Sequence, residues 1–209
     1  GPNCLMTDSS CQSDGDDSCE NDGQCIPFDE HSESERKYFC LCRPGFSGLR
    51  CEIVDAKIIV SFHSRVRKPS KLFVHFLEVI ANHWPKNGST FKTIPHYSAS
   101  VEIQWPHPFH IAFIEIPPSD FYLLLVQSHF NRTKTIRKTV RPTDRCLSLT
   151  DLVNATIAQF HLLRRMKYYH WVCQQPKSSS LTCFHDAAFF CLCVDHGHRR
   201  IANCFRFNS

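Results

Sequence analysis

Between residues 53 and 145 apolar and polar positions alternate in short bursts. The bursts fall at 57–63, 71–80, 90–94, 100–105, 109–116, 121–127 and 134–140, and they are rich in β-branched and aromatic residues. The breaks hold Pro69, Pro85, Asn87-Gly88, Pro106, Pro108 and Pro117-Pro118. A period of two bounded by turn residues predicts strands. Seven of them at this spacing predict a small antiparallel β-sandwich. The run 71–80 also fits a helical period through Leu72, Phe76 and Val79, but Phe73, Val74 and Ile80 favour the pleated state. Past residue 146 the period changes. Ser148-Leu149-Thr150-Asp151 has capping-box spacing, and Leu149, Leu152, Val153, Ile157, Phe160 and Leu163 form one apolar stripe. That pattern predicts one amphipathic helix to about residue 168. Arg164, Arg165 and Lys167 suit the negative end of its dipole.

Cysteine placement divides the chain differently. There are 13 cysteines in 209 residues, and none between Cys51 and Cys146. The central stretch must therefore cohere by burial, while the roughly 45 residues of the N-terminal cysteine-rich stretch lack an apolar core and need cross-links. Together with the sequons at Asn87, Asn131 and Asn154, this usage predicts an oxidising, extracellular setting. Zinc is disfavoured, because no histidine stands at ligand spacing and the C-x-x-C knuckle is missing. No apolar run approaches the roughly 18 residues of a membrane span, so no membrane insertion by this segment is expected. Gly1-Pro2-Asn3-Cys4 lacks the basic start and apolar core of a signal peptide, and the chain reads as a piece of something longer.

The most specific motif is Cys40-Leu41-Cys42 running into Arg43-Pro44-Gly45-Phe46-Ser47-Gly48-Leu49-Arg50-Cys51. Its glycines free the backbone for tight turns while an aromatic covers a disulfide. With Cys11, Cys19, Asn21-Asp22-Gly23-Gln24 and Cys25 upstream, it resembles the epidermal-growth-factor-like (EGF-like) module. Six cysteines alone leave their pairing open. The resemblance implies Cys11 with Cys25, Cys19 with Cys40, and Cys42 with Cys51. It also implies an acceptor for O-linked N-acetylglucosamine at Ser47, whereas Gln24 occupies the place of a fucose acceptor. The calcium-binding version of the module needs an acidic pattern before its first cysteine, where Met6-Thr7-Asp8-Ser9-Ser10 stands. No cofactor is therefore expected. Asp14, Asp16, Asp17, Glu20 and Asp22 read as a solvated loop, with calcium the alternative.

Cys146, Cys173, Cys183, Cys191, Cys193 and Cys204 repeat the order of that framework, without its glycine-aromatic turn. They resemble a second, divergent EGF-like framework with a helix inserted. The analogy implies pairs Cys146–Cys183, Cys173–Cys191 and Cys193–Cys204. Cys4 is left over, either from a preceding module, as a link to another chain or as a free thiol. The expected organisation is a remnant at 1–10, an EGF-like module at 11–52, a cysteine-free β-sandwich at 53–145, and a helix with a cysteine-rich framework at 146–209. The whole order resembles the outer regions of a large invertebrate family of EGF-bearing membrane proteins. That likeness implies location and architecture, not a ligand.

Charge and chemistry narrow the function. Residues 1–55 carry 12 acids against 4 bases, and the remainder 20 bases against 8 acids. Such asymmetry favours oppositely charged partners. Among the bases, Arg132, Lys134 and Lys138 share strand parity and are the candidate anion-binding set, suited to a sulfated glycan or anionic lipid headgroups. His185-Asp186 beside Cys183 and His196-Gly197-His198 could be assembled on paper into a catalytic or metal site. No nucleophile elbow, H-E-x-x-H or phosphate loop accompanies them. No enzyme and no nucleic-acid binding are expected. The reading is a non-catalytic interaction or spacer segment in the ectodomain of a membrane protein, with an extracellular protein or neighbouring modules as partners. A secreted binding factor and a glycan-binding module are the alternatives.

Overall fold

The computed structural model describes residues 11, 19–28, 38–132, 135–175 and 180–207. The chain divides into two compact units, one of 1–59, 102–108 and 131–136, the other of 60–101, 109–130 and 137–209. It is mainly β, and its 12 described cysteines form six disulfides. Cys4 and Lys134 lie outside the described residues, as do Asp14, Asp16 and Asp17.

In the first unit, β1 (Gln24–Pro27) and β2 (Tyr38–Leu41) form an antiparallel hairpin, and β3 (Phe46–Ser47) pairs with β4 (Ile53–Val54). Three disulfides, Cys11–Cys25, Cys19–Cys40 and Cys42–Cys51, link these short pieces in the order first to third, second to fourth, fifth to sixth. Gly23 is required by crowding, since a Cβ there would sit 2.7 Å from Cys51 Sγ. Gly48 is required by its φ of +97°, a region that L side chains rarely adopt. The backbone on either side is fixed by Asn21, whose Nδ2 donates to the Cys51 carbonyl at 2.8 Å.

The remaining strands are β5 (Ala56–Phe62), β6 (Lys71–Glu78), β7 (Lys86–Thr93), β8 (Ser100–Trp105), β9 (Ile111–Ile116), β10 (Asp120–Val126), β11 (Ile136–Val140), β12 (Arg145–Ser148), β13 (Cys183–His185), β14 (Phe189–His196) and β15 (Arg199–Arg206). All seven strand-like runs of the central region are strands. The ambiguous run at 71–80 is β6, with Leu72, Val74 and Phe76 buried in alternation. One sheet has the order β11-β5-β8. The other has eight strands in the order β15-β14-β13-β12-β10-β9-β6-β7.

This larger sheet overturns the expected boundary after residue 145. β12 carries Cys146 and pairs antiparallel with β10, setting Phe121 opposite Cys146. One buried cluster then joins Leu77, Ile111, Phe113 and Phe121 to Cys146, Cys183, Phe190, Leu192 and Phe205. The cysteine-rich tail is thus not a separate framework but the second half of a shared sheet. β12 and β13 run parallel, which requires a crossover connection, and the helical segment supplies it.

That segment is not one helix. Short turns at Leu149–Leu152 and Ala155–Ala158 precede a helical stretch through Leu162–Arg165, a 3₁₀ turn at Met166–Tyr168 and Tyr169–Gln174. Val153 is extended (φ −118°, ψ 164°), so the first turn ends there, and Asn154 restarts the helix by accepting from the Ile157 N–H at 2.9 Å. A cap in mid-stripe competes with helix continuation, and here it wins. Ser148 caps the Thr150 N–H, and the expected contribution of Asp151 to a capping box is not among the hydrogen bonds of this turn.

Two of the tail pairings also differ from the analogy. Cys146–Cys183 forms, but the others are Cys173–Cys193 and Cys191–Cys204, not Cys173–Cys191 and Cys193–Cys204. Strand register explains the exchange. In the β14–β15 hairpin Cys191 stands opposite Cys204, with Cα atoms 4.0 Å apart, while Cys193 stands opposite Ala202. Cys191 and Cys193 share a face by the period of two, so Cys193 is left to meet Cys173 of the last helix.

Candidate functional site

The larger sheet curls. Phe207, just past β15, reaches back over β6 to place its ring 5.6 Å from His75 and 5.6 Å from Phe113. The inside of the curl is an aromatic stack centred on Phe113, which lies 3.9 Å from Phe190 at an interplanar angle of 5° and 4.8 Å from His75 at 16°. Such contacts add to area burial and hold the two halves of the sheet in register.

Near the β7 end of this curl lies a cleft of about 200 Å³, lined by His75, Leu77, Asn87, Ser89 and Phe207 among others. Its walls come from β6, from β7, which is one end strand of the sheet, and from the segment after β15, the other end strand. His75 Nε2 is 2.9 Å from Glu115 Oε2 at this aromatic wall. Burial lowers the His75 pKa below the usual histidine value, and the Glu115 carboxylate only partly opposes it. His185, packed on Phe121 at 4.2 Å, is lowered by the same cause against Asp151, Asp186 and Glu115. Both imidazoles are therefore held neutral when unfolded histidine begins to take a proton. The sign follows: their stabilising contribution is full above the ordinary histidine pKa near 6.5 and is lost as pH falls from there toward the lower folded values. Urea midpoints between pH 7 and pH 5 are expected to fall, and His75→Gln with His185→Gln to flatten that slope.

The paper assembly of a nucleophile with a base does not survive the geometry. Cys183 is tied to Cys146, and His185 packs on the aromatic stack. Asp186 serves elsewhere. It is 6% exposed, receives Arg165 Nε at 3.1 Å and Arg165 Nη2 at 2.8 Å, and accepts from the Tyr169 hydroxyl at 2.6 Å. Burial chiefly, and this carboxylate next, push the Tyr169 pKa far above the usual tyrosine value. The cluster anchors the helical crossover to the end of β13. In sequence, Arg165 fits a helix-end charge and Asp186 stands beside His185. Only the fold brings the two together across 21 positions.

His196-Gly197-His198 is the β14–β15 turn region, where Gly197 has a φ of +61°. Of the candidate anion-binding set, Lys134 lies outside the described residues, Lys138 Nζ pairs with Asp144 at 2.8 Å, and Arg132 donates to the Val54 carbonyl at 3.4 Å. Arg132 lies in a turn, and β11 begins at Ile136. Ser47 is also misplaced for modification: its hydroxyl oxygen is buried in β3, not presented on an open turn. In the acidic stretch, Glu20 pairs with Arg50 at 3.5 Å and Asp22 with Arg43 at 3.0 Å. Among the described residues no group of three His, Cys, Asp or Glu side chains is placed to hold a metal ion. No described helix is long and apolar enough to cross a membrane.

Of the sequon asparagines, Asn87 is exposed on β7, Asn154 is exposed as a helix cap, and Asn131 is exposed just before β11.

The fold and its sites define a mainly β, disulfide-tied protein. No family model, curated protein or solved structure matches this chain.

Proposed function

We propose that the chain is a non-catalytic extracellular interaction or spacer segment of a larger receptor-like ectodomain, beginning with an EGF-like module. The observation that carries the reading is the pairing of every described cysteine in six disulfides. Cross-links on this scale form and persist in oxidising compartments and are rare in a reducing cytosol. The EGF-like reading rests on the first-to-third, second-to-fourth, fifth-to-sixth order and the hairpin between its third and fourth cysteines. Binding is favoured over catalysis because the buried charged cluster at Asp186 is consumed in anchoring a helix. Exposed rings are the natural anchors for a protein partner, and Trp84 and Tyr97 are 91% and 93% exposed.

Thiol labelling of the chain from its native source, before and after reduction, tests the compartment. The expected result is protection of the twelve paired cysteines until reductant is added. Free thiols at these positions in the native material would end the extracellular reading. Binding of the labelled segment to intact cells should weaken in Trp84→Ala or Tyr97→Ala without a change in melting temperature.

A further inference from the structure

The seam of the curled sheet holds a sequon. In the β6–β7 pair, Asn87 stands opposite Leu77 and Ser89 opposite His75. Directly opposed residues of an antiparallel pair share a face. Leu77 belongs to the buried cluster inside the curl, so Asn87 and Ser89 present their side chains to that same face. Both are exposed, and both line the cleft whose far wall is Phe207. The intervening Gly88, opposite Phe76, adds no side chain of its own. An acceptor asparagine thus opens directly onto a cleft of about 200 Å³ lined by Phe207 and His75 among others.

We propose that Asn87 carries an N-linked glycan whose first N-acetylglucosamine seats in this cleft against Phe207 and His75 and closes the seam between the two end strands. The inference rests on the extracellular reading, since the donor is supplied only along the secretory route. The donor is a lipid-linked oligosaccharyl diphosphate. Asn87 Nδ2 forms a bond to C1 of its first sugar, the C1–O bond to the diphosphate breaks with its electron pair leaving on the diphosphate, and Nδ2 gives up one proton. The sugar's apolar C–H face suits the ring of Phe207, and its acetamide and hydroxyls suit the polar atoms of His75 and Ser89. A covalently attached sugar meets the cleft without the entropic cost of free association. It also blunts an edge strand otherwise open to pairing.

The test uses the full chain secreted with high-mannose glycans, carrying Thr133→Ala and Thr156→Ala so that Asn87 alone is an acceptor. Thr156→Ala is chosen because it leaves the Asn154 cap intact. Endoglycosidase H trims the glycan to one N-acetylglucosamine, and Ser89→Ala leaves Asn87 bare, with Ser89→Thr as the control that keeps the sequon. Mass spectrometry is expected to find Asn87 occupied. The trimmed protein is expected to melt about 2–4 °C above Ser89→Ala, the shift that a modest stabilisation gives a domain of this size. Phe207→Ala is expected to erase that gap, and Ser89→Thr to keep it. A secreted, fully oxidised chain with bare Asn87 overturns the modification while leaving the extracellular reading intact. Occupied Asn87 with equal melting temperatures, or a gap that survives Phe207→Ala, overturns the seating. If the sequon variants are not secreted, hydrogen exchange on the wild-type glycoprotein decides, with protection of β7 unchanged by enzymatic removal of the glycan counting against it.

Discussion

Phe113→Ala should destabilise the second unit by about 3–5 kcal/mol, read as a fall in urea midpoint at pH 7 with little change in slope. Phe113 is fully buried, stacks on Phe190 at 3.9 Å and touches His75, Phe121 and Phe207. Removing its ring deletes the contact that joins β9 to β14 across the curl, and a side chain surrounded by other rings leaves a cavity that cannot collapse cheaply. The comparison is Phe73→Ala on the neighbouring strand. Phe73 is 37% exposed and meets Phe91 at 5.1 Å, so its loss should cost far less. Equal effects of the two substitutions would mean that the stack is not the core of this unit.

Asp186→Ala should cost a similar amount, about 3–5 kcal/mol, because it strands a buried guanidinium. Arg165 is 16% exposed at its side chain and makes two hydrogen bonds to the carboxylate, with a third to the Ala158 carbonyl at 3.0 Å. Most of the cost comes from the partner left behind. Replacing both residues, as Arg165→Met with Asp186→Leu, should therefore recover much of the loss. A double variant no better than Asp186→Ala would show that shape, not charge, holds the crossover. The same cluster sets an alkaline limit. Tyr169 keeps its proton in the fold above the pH at which an unfolded tyrosine loses it. Its contribution is therefore full below the usual tyrosine pKa near 10 and declines as pH rises past that value.

Local pattern accounted for elements wherever neighbours in sequence are also neighbours in space. The strands between 53 and 145 were legible because period-two alternation and proline or glycine breaks are local signals. The pairing of the first six cysteines was not legible in their spacing, since six cysteines alone leave it open; only the motif's resemblance to an EGF-like module implied the order that Cys11–Cys25, Cys19–Cys40 and Cys42–Cys51 follow. The apolar stripe after Cys146 misled, because a face that fits one helix also fits three short turns. The choice fell to the cap at Asn154 and the extended Val153.

By itself, then, the sequence determined the mainly β character, the positions of the central strands, the wealth of cysteines available for cross-links, and the sequon at Asn87. The tertiary structure alone decided that the tail joins the central sheet, that Cys193 rather than Cys191 meets Cys173, that Asp186 takes Arg165 rather than a histidine, and that Asn87 opens onto a cleft. Each of these depends on strand order or register. A shift of one residue turns a side chain to the other face of a sheet, and no local pattern records which distant strand will stand opposite.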